Sequence, residues 1–323
     1  MRCVPQLAKI RRHIAAAVIL SLVISLVPGL PNALGLPSQT AFALVGTTTR
    51  VSVSSSGAQG NAESRGSSIA PDAQVIAFFS SASNLVAGDT NAVADVFVYD
   101  AATAQTTRVS VGPGGVQANG ASIASSLSGD GRYVAFDSAA TNLIADDTNA
   151  KSDVFLYDRS TTTVERISVT SSGGQASADS FSPDITPDGR FVAFLSYADF
   201  DSGGSATGQV SVYLRDRQLG TTTLVASNHS LSPSVSDDGR YVAFSTDSPI
   251  VPGDTNGQSD VFVRDMATGV TTRVSVASDG TQANSASERG AISGDGRYVP
   301  LSRTRAIWSR EIPTARSMSF CTT

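Results

Sequence analysis

The chain has 323 residues, two cysteines and a formal net charge of −5 at pH 7. Residues 44–299 contain 15 Lys or Arg and 27 Asp or Glu, a formal charge of −12, and so acidic a body disfavours binding to nucleic acid or to anionic lipid. The two cysteines are Cys3 and Cys321. A disulfide framework in the body is therefore excluded, and the body must bury a large core to be stable.

Residues 1–43 have the pattern of a cleaved signal peptide. Basic residues such as Arg11 and Arg12 precede an apolar run over 14–27, and Ala41 and Ala43 form the small-x-small pattern that signal peptidase recognises. The run is too short for a stable transmembrane helix; an uncleaved membrane anchor is the alternative. We expect a mature chain that begins near Leu44, is secreted or periplasmic, and has no stable membrane span after cleavage.

One sequence unit recurs along the body. Its first string, DGRYVAF in the most regular copies, begins at Asp72, Asp130, Asp188, Asp238 and Asp295. Its second string, DVFVYD or a variant, begins at Asp95, Asp153, Ser211 and Asp260. Its third string, TTRVSV or a variant, ends at Val111, Val169, Ser227 and Val276. A period of about 50 to 60 residues indicates tandem structural repeats.

Each string has the alternation and the β-branched and aromatic content of a strand. With the short segment before each Asp-Gly turn, the unit predicts four antiparallel strands. The predicted fold class is all-β, a β-propeller of four-stranded antiparallel blades with about five blade units, the last one incomplete. We expect the blades near 67–111, 122–169, 181–227 and 232–276, with a partial blade at 291–299. A row of separate sandwiches is the alternative.

The segment 47–53 is a copy of the closing strand with no blade before it. An outer strand at the N-terminus can complete the last blade of a propeller and so remove an exposed sheet edge. The alternative for this segment is a frayed terminal strand.

The strings TPDGRFVAF at 186–194 and SDDGRYVAF at 236–244 resemble the Pro-Asp repeat of the TolB-type, WD-like β-propeller family. The resemblance covers about 47–299 and implies a propeller fold. Since TolB is a periplasmic adaptor, the resemblance also implies a binding role in the cell envelope. The sequence shows no separate N-terminal α/β domain of the TolB kind. Propellers host binding proteins, hydrolases and lyases alike, so function has to be argued from a site.

The repeat pattern stops inside the fifth unit. Residues 300–323 contain Trp308 and Cys321 but no strand string. Back-translation with one base restored in the Val299 codon reads Tyr-Val-Ala-Phe-Glu-Ser and then DASNLVPGDTNGTVDVFLYD, which is the repeat consensus. We interpret 300–323 as an out-of-frame tail produced by a single-base deletion; a divergent cap is the alternative.

The loop before the second string carries oxygen-bearing side chains with the spacing D-x-N-x-x-x-D in three units. The residues are Asp89, Asn91 and Asp95; Asp147, Asn149 and Asp153; and Asp254, Asn256 and Asp260. Hard cations prefer oxygen ligands, so these loops are candidate calcium sites. The alternative is an Asx turn, in which these side chains bind nearby backbone N–H groups. In the third unit, a Gly- and Ser-rich segment at 201–209 replaces the loop.

No catalytic constellation is predicted. The one histidine of the body, His229, would need Ser and Asp partners that the sequence does not single out. We expect an exported binding or scaffold protein of the cell envelope with a protein or glycan partner, no nucleic-acid partner and no required cofactor. The alternative is a secreted propeller hydrolase acting on glycans or peptides, with its active-site residues beyond the truncation.

Overall fold

The repeated strings form strands that pair within their own unit. Tight turns join the first strand to the second and the third to the fourth, and in most units a longer loop joins the second strand to the third. The computed structural model describes residues 48–288 and 290–303. Four four-stranded sheets, called blades 1 to 4, have their strands in chain order, and every pairing in them is antiparallel. The predicted all-β, four-stranded blade fold is confirmed.

The strand bounds follow the repeat from blade to blade. They are β1 Ser64–Ile69, β2 Val75–Ser80, β3 Asp95–Asp100 and β4 Gln105–Arg108 in blade 1; β5 Ser122–Leu127, β6 Tyr133–Ser138, β7 Asp153–Asp158 and β8 Thr163–Arg166 in blade 2; β9 Ser180–Ile185, β10 Phe191–Asp199, β11 Ser205–Asp216 and β12 Thr221–Ala226 in blade 3; and β13 Leu231–Val235, β14 Tyr241–Thr246, β15 Asp260–Asp265 and β16 Thr271–Arg273 in blade 4. A short fifth sheet pairs β17 Ser287–Glu288 with β18 Ser302–Arg303.

Both faces of the middle strands are buried. In β6, consecutive residues Val134, Ala135 and Phe136 are fully buried although their side chains point to opposite faces. The ring of Phe136 lies beside Phe155 of the paired strand, with ring centroids 6.1 Å apart, and the same pair recurs in blades 1 and 4. A sheet buried on both faces must pack between neighbours, and three core clusters accordingly join side chains from adjacent blades.

Side chains on the first strand of each blade hold the backbone of the next blade. Ser68 Oγ accepts a hydrogen bond of 3.1 Å from Leu127 N, and Ser126 Oγ accepts one of 3.2 Å from Ile185 N. At the next position Asp184 Oδ2 accepts from the backbone N–H of blade 4 at 2.9 Å. The first strands of successive blades therefore lie next to each other. The backbone N–H groups that they do not use within their own sheet are satisfied by side chains of the preceding blade.

The Asp-Gly turns pack against the preceding blade. Their glycines have φ between +67° and +73°, and a Cβ on any of them would lie within 3.0 Å of the first side chain of the preceding blade's second strand. The contacting pairs are Gly131 with Val75, Gly189 with Tyr133, Gly239 with Phe191, and Gly296 with Tyr241. Glycine is thus required both for the left-handed conformation and for the close approach of the blades.

Three predicted segments differ in detail. The fourth strands of blades 1, 2 and 4 end at Arg108, Arg166 and Arg273, before the ends of their strings, because the chain there leaves the sheet toward the next blade. In blade 3, β10 and β11 are extended into a hairpin in which Asp199 pairs with Ser205, so part of the predicted loop at 201–209 is strand. In 48–53, the observed pairing is one isolated bridge between Val53 and Gln59.

Two predicted segments fall mostly outside the described residues. The signal segment 1–43 lies wholly outside them, and so does 304–323 of the predicted out-of-frame tail. No helix in the described part of the chain is long and apolar enough to cross a membrane.

The glycine contact gives a matched pair of substitutions. Gly189 and Gly220 have φ of +73° and +69°, but only a Cβ at Gly189 would meet a neighbour, the ring of Tyr133. Both alanine variants place a Cβ in the left-handed region, at a cost of about 1–2 kcal/mol. We expect Gly189→Ala to lower the free energy of unfolding by a further 1–3 kcal/mol or so, the usual cost of overpacking. Urea unfolding measures both values, and equal losses would contradict this account of blade packing.

Candidate functional site

The carboxylate of Asp95 is fully buried at the end of the first D-x-N-x-x-x-D loop. Its Oδ1 accepts a hydrogen bond of 2.5 Å from Ser110 Oγ, and that hydroxyl accepts one of 3.1 Å from Val96 N. Its Oδ2 accepts from Asn91 Nδ2 at 3.1 Å. Because Asn91 Oδ1 accepts from Val93 N at 3.2 Å, the loop forms an Asx turn and the amide orientation of Asn91 is defined.

An arginine and a glutamine lie between the two carboxylates of this loop. Arg108 Nη1 is 3.6 Å from Asp89 Oδ1 and 3.5 Å from Asp95 Oδ2. Gln117 Nε2 donates to the same two oxygens at 2.8 and 3.1 Å. The guanidinium therefore occupies the place between the carboxylates that a bound cation would take. We call the ensemble the clasp; its members are Asp89, Asn91, Asp95, Arg108, Ser110 and Gln117.

The clasp recurs in blade 4, and it recurs in blade 2 with one difference: Arg166 pairs with Asp153 at 3.8 Å and with the exposed Asp146 at 3.1 Å. The hydroxyl of Ser168 donates to Asp153 at 2.6 Å and that of Ser275 donates to Asp260 at 2.5 Å. The other members are Asp147, Asn149, Arg166 and Gln175 in blade 2, and Asp254, Asn256, Arg273 and Gln282 in blade 4. In blade 3, Ser211 replaces the buried aspartate and the extended hairpin replaces the loop.

The structure thus brings together all nine residues singled out from the sequence, three in each clasp. The sequence analysis missed the arginine, serine and glutamine of each clasp. A signal for them exists, because an Arg-x-Ser followed by a glutamine seven residues later recurs after the fourth strand of the same three blades, at 108–117, 166–175 and 273–282.

Burial perturbs several of the clasp carboxylates. Desolvation raises the pKa of Asp89 and of Asp147, and it raises the pKa of Asp153 to about 6 against the opposing effect of Ser168, Asn149 and Arg166. An Asx turn is present at all three loops. Calcium binding by these loops would require the arginine to leave the carboxylates, and it stays a prediction.

A second cluster lies at one end of the blades, which we call the loop end. Antiparallel pairing places there the start of each first strand and the connection between the second and third strands. Ile123, Phe181 and Leu231 occupy the same position of the first strand in blades 2, 3 and 4. Ile123 is 42% exposed, Leu231 is 48% exposed and Tyr197 is 37% exposed. The Phe181 and Tyr197 ring centroids are 5.7 Å apart, so the blade 3 hairpin adds an aromatic group to this surface.

His229, the only histidine among the described residues, lies at the loop end. Asn228 and His229, just before β13, have φ of +65° and +52°, a left-handed conformation that costs non-glycine residues about 1–2 kcal/mol each. His229 Nδ1 lies 3.3 Å from Asp247 Oδ1, and both side chains are more than half exposed. Backbone strain of this kind concentrates at functional positions.

Two further buried carboxylates were not singled out from the sequence; Asp137 lies near the loop end and Asp184 near the opposite end of its strand. Asp137 is 4% exposed, and its Oδ1 accepts from Ser182 N of the next blade at 3.1 Å. Burial raises its pKa to about 7. Burial also raises the pKa of Asp184, which bridges to blades 2 and 4 through Ser126 and Val235. Alignment of the repeats could have found both. At the position equivalent to Asp137 the other blades have Phe, Leu or Ser, and at the position equivalent to Asp184 they have Ser.

No family model matches the chain, and no curated protein matches it. Among solved structures, it is similar to TolB from Acinetobacter baumannii, at 20% identity and a TM-score of 0.44 over 74% of this chain and 48% of that one. It is also similar to a putative TolB from Agrobacterium tumefaciens, at 16% identity and a TM-score of 0.44 over 74% of this chain and 73% of that one.

A third similar structure is the β-propeller domain of the trilobed protease from Pyrococcus furiosus, at 12% identity and a TM-score of 0.48 over 80% of this chain and 71% of that one. The chain spans about half the length of the Acinetobacter protein. At these identities the similarity extends to the fold alone.

The calcium-site hypothesis and the Asx-turn interpretation predict different effects of a chelator on the melting temperature. If the loops bind calcium, a chelator lowers the melting temperature, because a ligand that binds only the native state stabilises it, and Asp254→Ala removes part of that shift. If Arg273 already satisfies Asp254 and Asp260, the melt is the same with calcium and with chelator. Calorimetry of the wild type and of Asp254→Ala in both conditions decides between the two, with the exposed Asp201→Ala as the control.

The buried carboxyl of Asp137 predicts a pH dependence of stability. The unfolded chain releases this proton near the ordinary value of 3.8 and the native state retains it to about 7. Stability therefore falls as pH rises between those two values. Asp137→Asn removes this contribution, so we expect its melting temperature to exceed that of the wild type by several degrees at about pH 8, at roughly 2–4 °C per kcal/mol, and not at about pH 4. The control is the exposed Asp201→Asn, and an advantage that is the same at both pH values would contradict the assignment.

Proposed function

We propose that this protein is an exported β-propeller that binds a protein or glycan partner in the cell envelope through its loop end. The observation that carries the proposal is the apolar surface formed by Ile123, Phe181, Tyr197 and Leu231. These side chains come from three successive blades, and three of them are more than a third exposed. Large apolar side chains that are exposed at equivalent positions of successive blades are typical of an interaction site.

The chemistry of this surface suits a neutral or basic partner. The tilted pair of Phe181 and Tyr197, at an interplanar angle of 41°, offers ring faces on which a sugar or an apolar side chain can lie, with the Tyr197 hydroxyl as a polar group. Asp199 and Asp247 add carboxylates at the same end. The formal charge of −12 over 44–299 favours approach of basic rather than acidic partners.

The cell-envelope location rests on the sequence. Basic residues, an apolar run and a small-x-small pattern succeed one another over 1–43, which is the order in an exported precursor. The cysteine-free body between them and Cys321 is compatible with an oxidising compartment, because it contains no thiol to mispair.

A second candidate function is a secreted hydrolase acting on glycans or peptides. The observation that favours it is the exposed pair of His229 and Asp247, at 3.3 Å, beside a strained backbone. A histidine oriented by a carboxylate can act as a general base. Under this alternative the remaining active-site groups lie beyond the truncation predicted from the sequence.

The two candidates separate in one experiment. The mature chain is isolated from the exported fraction and applied to an array of neutral oligosaccharides and of synthetic peptides. We expect saturable binding that Tyr197→Ala and Leu231→Ala each weaken by about tenfold or more, equivalent to about 1.4 kcal/mol. The matched control is Val270→Ala, because Val270 is 58% exposed on a hairpin turn at the opposite end of the blades.

Equal binding by all three variants, or no binding to any array member, would refute the loop-end site. Release of new reducing ends or new amino termini that His229→Ala abolishes would establish the hydrolase instead.

A further inference from the structure

Arg159 of blade 2 and Arg217 of blade 3 follow the third strand of their blades at equivalent positions. Arg159 Nη1 donates to Gly131 O at 2.8 Å, and Arg217 Nη1 donates to Gly189 O at 2.6 Å. The Asp-Gly turn of the same blade therefore holds both guanidinium groups in the same way, and it leaves the Nε and Nη2 side of each group free for another partner.

That side of Arg217 binds a glutamate of the preceding blade. Its Nε and Nη2 donate to Glu165 Oε2 at 3.1 and 2.8 Å. Blade 1 has Thr107 at the position of Glu165, because β4 and β8 pair with their third strands in the same register. Arg159 has instead Asp100 Oδ2 at 3.5 Å from its Nη2, the outer limit of a hydrogen bond. Within 48–288 and 290–303, the Nε of Arg159 has no partner.

The cleft between blades 1 and 2 is open where Thr107 replaces the glutamate. Two adjoining volumes of about 530 and 510 Å³ lie along it, and both are lined by Thr107, Tyr157 and Thr162. Three arginines also line the cleft, against one acidic residue, Asp130: Arg108, Arg132 and Arg159. The lining is therefore basic in a body whose formal charge is −12, and a basic cleft attracts anions.

Only one of these arginines has a guanidinium N–H available for a ligand. Arg108 belongs to the clasp, and Arg132 binds Asp158 at 2.6 Å. Arg159 is thus the cationic donor of the cleft. An arginine with a free Nε–H beside a free Nη–H binds a carboxylate in the geometry that Arg217 and Glu165 show in the next cleft.

The hydroxyl of Tyr157 is a second donor without a partner. Tyr157 is 6% exposed, and its hydroxyl has no hydrogen-bond partner in the described part of the chain, although a buried tyrosine hydroxyl usually has one. In blades 3 and 4 the same strand position is occupied by Arg215 and Arg264. Arg215 donates to Gly220 O at 2.9 Å and to Thr222 Oγ1 at 3.1 Å, so the chain itself satisfies that position in the next cleft.

We propose that the cleft between blades 1 and 2 is a carboxylate-binding site, and that its ligand is an acidic side chain of a partner peptide. The carboxylate takes the place that Glu165 has in the next cleft, with Arg159 as the charged donor. The hydroxyls of Tyr157 and Thr107 line the same space and complete the set of donors. Because the chain's own group at the equivalent place is a glutamate side chain, we assign glutamate to the ligand. None of the side chains that form the apolar surface of the loop end lines this cleft.

The test titrates the full chain with the blocked peptide acetyl-Gly-Glu-Gly-amide by isothermal titration calorimetry. We expect one saturable site, a melting temperature that rises with peptide concentration, and no binding of acetyl-Gly-Gln-Gly-amide. Arg159→Gln should weaken binding by about tenfold or more, because it removes the charged donor. Tyr157→Phe should weaken binding by about fivefold, the effect of one neutral hydrogen bond, and should leave the melting temperature of the free chain unchanged. The control is Tyr99→Phe, at the same strand position of blade 1.

A second pair of variants supplies or removes a carboxylate within the chain. Thr107→Glu gives the cleft the group that Glu165 provides between blades 2 and 3, so it should raise the melting temperature and abolish peptide binding. Thr272→Glu is the matched control, since it adds the same charge at the same strand position of blade 4, and it should bind as the wild type does. Asp100→Asn should strengthen binding, because it removes the carboxylate that competes for Arg159.

Absence of binding, or binding that Thr107→Glu and Arg159→Gln leave unchanged, would overturn the proposal. Binding of glucuronate that Arg159→Gln abolishes, without binding of the glutamate peptide, would overturn the peptide as the occupant in favour of an acidic sugar.

Discussion

Each blade is held to the next by a hydrogen bond from the backbone of one first strand to a side-chain oxygen of the first strand before it. The first strand is a sheet edge, and a buried N–H left unpaired at such an edge costs about 1–3 kcal/mol. Ser68, Ser126, Asp184 and Ser234 provide the acceptors for Leu127, Ile185, Val235 and Ile292 in turn. The Asp-Gly turns and the apolar clusters between sheets require this alignment. The turn glycines meet the side chains of the preceding blade only when adjacent blades are aligned, and the core side chains pack between sheets only under the same condition.

The clasp performs the corresponding task where the chain leaves the fourth strand of a sheet. It fixes the loop before the third strand to the linker that leaves the fourth strand, and so directs the chain onto the next blade. Its carboxylates are balanced internally by Arg108, Arg166 and Arg273. Blade 3 has no clasp and has instead the long hairpin that carries Tyr197 to the loop end. The irregular blade is therefore the one that contributes most to the candidate binding surface, as is common when function is added to a repeated scaffold.

Burial and hydrogen-bond partners also distinguish the carboxylates of the described residues. Asp95, Asp153 and Asp260 are fully buried, and each accepts a hydrogen bond from a serine hydroxyl. Asp247 is exposed and faces His229, and Asp137 lies buried beneath the apolar surface of the loop end. Groups of the first kind hold loops in place. Asp137 holds the backbone of the next blade, and Asp247 is exposed to solvent.

Much of the fold followed from local pattern. Repetition of DGRYVAF and DVFVYD predicted the second and third strands of the blades, because alternation and turn residues act over a few neighbouring residues. The three aspartate and asparagine loops were found for the same reason. The arginine and glutamine that complete them were missed, since Arg108 and Gln117 lie 13 and 22 residues from Asp95 and no local rule relates such separations to contact.

The sequence by itself determined the repeat, the strands and the residues of the loops, all of which depend on interactions between near neighbours. The tertiary structure decided which groups meet: that an arginine lies between the loop carboxylates, that Asp137 binds the next blade, and that Ile123, Phe181, Tyr197 and Leu231 share one exposed end. Those outcomes depend on packing between blades, which brings together residues from different units, and burial is a property of that packing rather than of any single string.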